Sequence, residues 1–133
     1  MKRLSTLLIL SFILFTSCSD KVLDANEIMG TWNWISSSGG IAGDTFTPES
    51  TGDNIILEFT RDSVYKEYLN DSLIIETDFS IIKSKSIYDH DSTKVLVLDS
   101  GMVSRSIVFE SPNDLILRDE MYDGFSRHYR RIK

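Results

Sequence analysis

Cysteine occurs once in this 133-residue chain, at position 18, and histidine and proline occur twice each. A lone thiol closes no disulfide within the chain, so packing alone must hold the fold. With two histidines the repertoire for acid–base or metal chemistry is thin. No apolar run approaches the roughly 20 residues that a helix needs to cross a bilayer. Cations are also scarce, 14 against 20 acids, for a net charge of −6. Such a surface repels nucleic acid and anionic headgroups, which excludes nucleic acid as a partner. After residue 30 no stretch has the apolar spacing of a long amphipathic helix.

What is present begins at the N-terminus. Lys2 and Arg3 precede an apolar run from Leu4 to Phe15, followed by Thr16-Ser17-Cys18. The run is too short for a membrane span and fits a cleavable signal helix. The layout resembles a bacterial lipoprotein signal, with Phe15 where that pattern usually has Leu. The resemblance implies a leader at 1–17, lipidation of Cys18, a tether at 18–27 and one domain at 28–133. It also implies a membrane partner, through a diacylglycerol and an N-acyl chain such as palmitate, because two chains hold durably where one holds marginally. The expected address is a Gram-negative cell envelope: the outer membrane, with the domain in the periplasm or on the cell surface. Removing Lys2 and Arg3 leaves 12 cations against 20 acids, a net charge near −8.

The remainder reads as strands. Segments 31–37, 54–60, 63–69, 72–82, 94–99, 103–110, 114–119 and 125–132 are rich in β-branched and aromatic residues, with a further short strand expected around 85–88. Arg61-Asp62, Asn70-Asp71, Asp99-Ser100-Gly101, Ser111-Pro112-Asn113 and Tyr122-Asp123-Gly124 punctuate them with turn chemistry. Within strands the two faces differ. Ile55, Leu57 and Phe59 alternate with Ile56 and Glu58; Val103, Ile107 and Phe109 share a parity into which Arg105 also falls. One apolar and one largely wet face, joined by tight connections, predict an all-β fold, a single antiparallel up-and-down barrel of eight or nine strands. A sandwich is the alternative, but its crossovers need longer links than most found here. The one long link, 38–53, carries Ile41 and Phe46 and is expected to fold back over the barrel mouth as a flap.

Gly30-Thr31-Trp32 opens the first strand, and Phe125-Ser126-Arg127-His128-Tyr129-Arg130-Arg131-Ile132 forms a cationic last one. Together they resemble the Gly-x-Trp motif and terminal strand of lipocalins, and with the leader the small lipocalin-like lipoproteins of Gram-negative bacteria. The chain is shorter than typical lipocalins and lacks their helix after the barrel. The resemblance implies closure through Gly30, Trp32 and Arg130 or Arg131, a guanidinium lying over the indole. Antiparallel pairing of last strand with first would place them so.

Arg127 and Tyr129 share a strand face with Arg131. Arg-x-Tyr on the last strand is similar to the pair with which intracellular fatty-acid-binding barrels hold a carboxylate. A buried guanidinium needs an anion, here a ligand carboxylate or an internal acid such as Glu67. With Trp34, Ile55, Leu57 and Phe59, these two are the candidate walls of a binding site. Asp89-His90-Asp91 offers adjacent residues that cannot converge on one ion, so neither a metal nor a cofactor is expected. No nucleophile elbow or carboxylate pair points to an enzyme. Ser63, Ser72 and Ser92 each follow an Asp and precede Val, Leu and Thr. That pattern resembles an acceptor for periplasmic O-glycosylation and is also turn chemistry.

The expected function is therefore a monomeric, membrane-anchored barrel binding a small hydrophobic or amphipathic ligand. The competing expectation is a non-catalytic structural or adhesive lipoprotein with a solid barrel.

Overall fold

The computed structural model describes residues 25–99 and 104–133. The leader, Cys18 and the tether up to residue 24 lie outside the described residues. A 3-10 turn, Ala25–Glu27, leads into nine strands: β1 Gly30–Gly39, β2 Asp44–Phe46, β3 Ile55–Phe59, β4 Val64–Leu69, β5 Ser72–Lys85, β6 Ser92–Leu98, β7 Arg105–Ser111, β8 Asp114–Asp119 and β9 Phe125–Arg131. A single helical turn, α1 Pro48–Thr51, sits between β2 and β3.

Eight of these strands close an antiparallel barrel in the order β1-β3-β4-β5-β6-β7-β8-β9, with β9 returning to β1. The closing seam runs from Trp32 opposite Arg131 to Gly39 opposite Phe125. Among the described residues the β6–β7 seam has the fewest pairs, Val95 with Ser106 and Leu96 with Arg105. Closure removes the free edges that an open meander of this composition would expose.

Local chemistry explains where the chain reverses. Asn70 and Asp71 both take positive φ, 49° and 66°, between β4 and β5. A two-residue hairpin of this hand matches strand twist, and Asn and Asp tolerate it better than other non-glycine residues. The Asn70 side chain also accepts from the Asn54 backbone N–H at 2.8 Å, fastening the start of β3. The link between β2 and β3 is set by Thr47, which caps α1 through a reciprocal pair with Ser50.

One device in β1 shapes the interior. The register with β9 shifts between Trp34 and Ser36, a bulge that leaves Ile35 half-exposed. Beyond the bulge the inward parity changes, so Ser37 is buried with Trp34. The Trp34 indole N–H donates to Ser37 Oγ at 2.9 Å.

Two expectations for the connections are corrected. No strand lies at 85–88: β5 continues to Lys85, and 86–91 form a turn held by Glu120. That carboxylate accepts from Ser86 Oγ at 2.8 Å and the Ile87 N–H at 2.9 Å. The ninth strand is β2, inside the long link, where its backbone extends the far half of β1. The link buries neither of its apolar residues: Ile41 is 91 % exposed in the turn after β1, and Phe46, 40 % exposed, only rests its ring at a tilt 6.1 Å from that of Phe125.

Candidate functional site

Inward-facing side chains divide the barrel into two halves. The half nearest the N-terminal turn is aromatic and aliphatic. Trp32, Leu57, Leu115 and Leu117 have no exposed surface, and Phe59 packs edge-on against Tyr65 and Phe79 at 5.3 and 5.2 Å. Arg131 seals this end. Its guanidinium lies 4.0 Å over the Trp32 ring and donates to the carbonyls of Met29, Glu27 and Pro112 at 2.5, 2.6 and 3.1 Å. The cation–π part of that contact is worth about 0.5–2 kcal/mol. The Trp32 indole N–H adds a bond of 2.8 Å to the Ile28 carbonyl, and Lys94 pairs with Glu27 at 2.7 Å. At Gly30, φ is +119°, and an added Cβ would overlap the Lys133 carbonyl, so glycine is required there.

Of the two terminal arginines, Arg131 makes the indole contact. Arg130 faces outward, mostly exposed, and pairs with Asp114 at 3.2 Å. Strand parity forces this division, because neighbours on a strand point to opposite faces.

The half toward the far end of β1, where Gly39 meets Phe125, is charged inside. Asp119 accepts from Arg127 Nη1 at 2.5 Å and Arg105 Nε at 3.2 Å through one oxygen, and from the Phe125 backbone N–H at 3.1 Å through the other. The Asp119 and Arg105 side chains are only 7 % and 11 % exposed, and Arg127 25 %. Tyr65 donates to Glu67 at 2.5 Å, and Tyr129 is buried beside them.

Electrostatics follows from this crowding. Burial pushes the Tyr65 hydroxyl well above the usual phenol range, and the Glu67 carboxylate adds to the effect. Burial does the same to Tyr129, against the charge of Arg105. For Asp119, burial alone would favour the protonated form. The Arg127 and Phe125 hydrogen bonds and the charge of Arg105 outweigh it and hold the carboxyl below its ordinary range. Arg105 is likewise held charged: desolvation opposes its charge, and the neighbouring carboxylates of Asp119 and Glu67 help to overcome it.

The candidate walls separate accordingly. Trp34, Arg127 and Tyr129 surround the charged half, and Ile55 packs half-buried against the core. Leu57 and Phe59 are consumed by the packed half. The acid that meets Arg127 is Asp119; Glu67 turns to Tyr65 instead. Arg105, Asp119 and Tyr65 join the site unanticipated, though Arg105 carries a signal in its apolar parity. Asp119 carries one too, continuing the inward series Leu115, Leu117.

Outside the barrel, two grooves flank the N-terminal turn and share Glu27 and Phe109. One, of about 590 Å³, runs along Ser111, Pro112, Asn113 and Arg131. The other, of about 510 Å³, lies where β6 and β7 part, between Lys83, Lys94 and Ile107. Ser63, Ser72 and Ser92 are all exposed at strand starts, and Ser92 borders the second groove. Among the described residues no group of three His, Cys, Asp or Glu gathers as a metal site. None of their helices is long and apolar enough to cross a membrane.

The closed eight-stranded barrel is compatible with a lipocalin-like fold. No protein-family model, curated protein or solved structure matches the chain.

Proposed function

We propose that this protein is a membrane-anchored, non-catalytic barrel that binds a small amphipathic molecule, tethered through acylated Cys18 to the outer membrane of a Gram-negative envelope, with its domain in the periplasm or on the cell surface. The polar head would sit in the charged half, among Arg105, Arg127, Tyr129 and Trp34. The apolar part would lie toward the flap, against Ile55, Phe125 and Phe46.

One observation carries this reading: ionised groups are held inside a barrel whose other half is fully packed. Burying Arg105 and Asp119 opposes stability unless they are paired well, and an apolar filling of equal volume is often as stable or more so. Their presence fits a site kept for recognition. An eight-stranded interior is also the size that either fills with side chains or holds one small ligand.

Native mass spectrometry of the protein isolated from its own membrane tests the proposal. The expected spectrum carries lipid mass on Cys18 and a separable small molecule on the folded domain. A folded domain that takes up no amphiphile from the extract or from added stocks would favour the packed, surface-acting alternative.

A further inference from the structure

The barrel wall is incomplete between β6 and β7. Beyond Val95–Ser106 and Leu96–Arg105 the two strands part. On one side of the opening Ser92, Thr93 and Lys94 pair only with β5; on the other Ile107, Val108 and Phe109 pair only with β8. Two backbone edges thus face each other with no strand between them among the described residues. An unpaired edge is a template for an extended segment. The groove there, of about 510 Å³, offers apolar surface from Ile107 and Phe109 and charge from Lys83, Lys94 and Glu27. Lys94 is matched by Glu27 at 2.7 Å, whereas Lys83 is exposed and makes no ion pair among the described residues. The opening therefore carries one unmatched positive charge. An occupant suited to it is extended and sets an apolar side chain between acids.

Six residues of this chain have that pattern and lead directly to the opening. Ser19-Asp20-Lys21-Val22-Leu23-Asp24 precede Ala25, and the turn that Ala25 begins borders the groove through Glu27. Fully extended they reach about 20 Å, ample for the three-residue edges on either side. Alternation gives Asp20, Val22 and Asp24 one face and Ser19, Lys21 and Leu23 the other. We infer that residues 19–24 dock as an added strand in the β6–β7 opening, with Val22 against Ile107 and Phe109 and its flanking acids toward Lys83 and Lys94. A docked segment completes the wall and keeps Cys18 beside the sealed end of the barrel instead of on a free arm. The inference goes beyond the proposed function and stands whether or not the interior takes a ligand.

Hydrogen exchange followed by mass spectrometry, on purified protein that retains residues 18–24, tests this. Amides 20–24 should exchange at least on the order of tenfold more slowly than in a synthetic peptide of residues 18–26. Val22→Ser should return them to within about twofold of the peptide and speed the slot-facing amides of 92–94 and 107–109. The β1–β9 seam should stay protected in that variant, reporting an intact barrel. Lys83→Glu should speed the same amides several-fold, whereas Leu23→Ser, on the opposite face, should leave them unchanged. Peptide-like exchange of amides 20–24 in the wild type would overturn the inference, as would protection that survives Val22→Ser. Protection that falls on dilution would also overturn it, by giving the opening to a second copy of the chain.

Discussion

The two halves of the barrel interior solve the problem of filling a closed sheet in different ways. Around Trp32 the filling is apolar, and the charged residue that covers it, Arg131, lies at the rim, satisfied by three carbonyls and an aromatic face. Around Asp119 the filling is ionic, and the pairs are satisfied only in part. The first arrangement gives stability with little specificity beyond shape. The second forgoes stability and leaves donors to offer. A sheet uniform in its hydrogen bonding thus carries a packed apolar foundation at one end and a charged, partly satisfied interior at the other.

Substitutions should break this contrast unequally. Trp32→Ala should have the largest effect, about 3–5 kcal/mol, since a fully buried aromatic leaves a cavity and frees Arg131 from its partner. Urea unfolding followed by circular dichroism measures it. Asp119→Ala comes next, at about 2–3 kcal/mol, because it strands Arg105 while Arg127 can turn to solvent. Its pH dependence has a defined sign. The Asp119 carboxyl is held below its ordinary range in the fold, so its contribution is complete above the unfolded carboxylate pKa. That contribution is lost as pH falls through the lower folded value. The wild type should therefore lose stability on acidification below about pH 4 more steeply than Asp119→Asn.

Smaller changes sharpen the comparison at the sealed end. Arg131→Ala should cost about 1–2 kcal/mol through the lost ring contact and carbonyl bonds. Its neighbour Arg130→Ala should stay within about 0.5 kcal/mol, being an exposed ion pair with Asp114. Equal effects of the two would mean that the face assignment of β9 is wrong. Glu27→Gln should be worth less than about 1 kcal/mol for the same reason, although it releases Lys94 at the rim of the β6–β7 groove.

Much of the fold was legible because alternation survives wherever one face of a sheet is enclosed. Ile55, Leu57 and Phe59 declared the inner face of β3 without help. Asn70-Asp71 marked a reversal through positive-φ conformations that few other residues favour, and Ser111-Pro112-Asn113 marked one by turn composition. The bulge at Ile35 was not legible, since a shift of one residue leaves no mark on the side chains themselves. Yet it decides that Ser37 meets Trp34. Asp44-Thr45-Phe46 reads as loop because its pairing comes from the backbone of β1 and not from an apolar face. The turn at 86–91 carries β-rich residues, Ile87 and Tyr88, that serve as contacts to the β8–β9 turn instead. For the site, Arg127 and Tyr129 were visible through spacing along one strand. The convergence of Arg105, Asp119 and Tyr65 depends on pairings around the whole barrel, which no single segment reveals.

The two tryptophans place one natural reporter in each half. Trp34 donates its indole N–H to Ser37 beside the charged cluster, and Trp32 donates to Ile28 in the sealed end. Titrating octanoate into nitrogen-15-labelled protein and following the two indole resonances tests the division of the interior directly. The Trp34 signal should move with saturation while that of Trp32 stays fixed. Movement of Trp32 alone, or of neither signal while calorimetry reports binding, would contradict it.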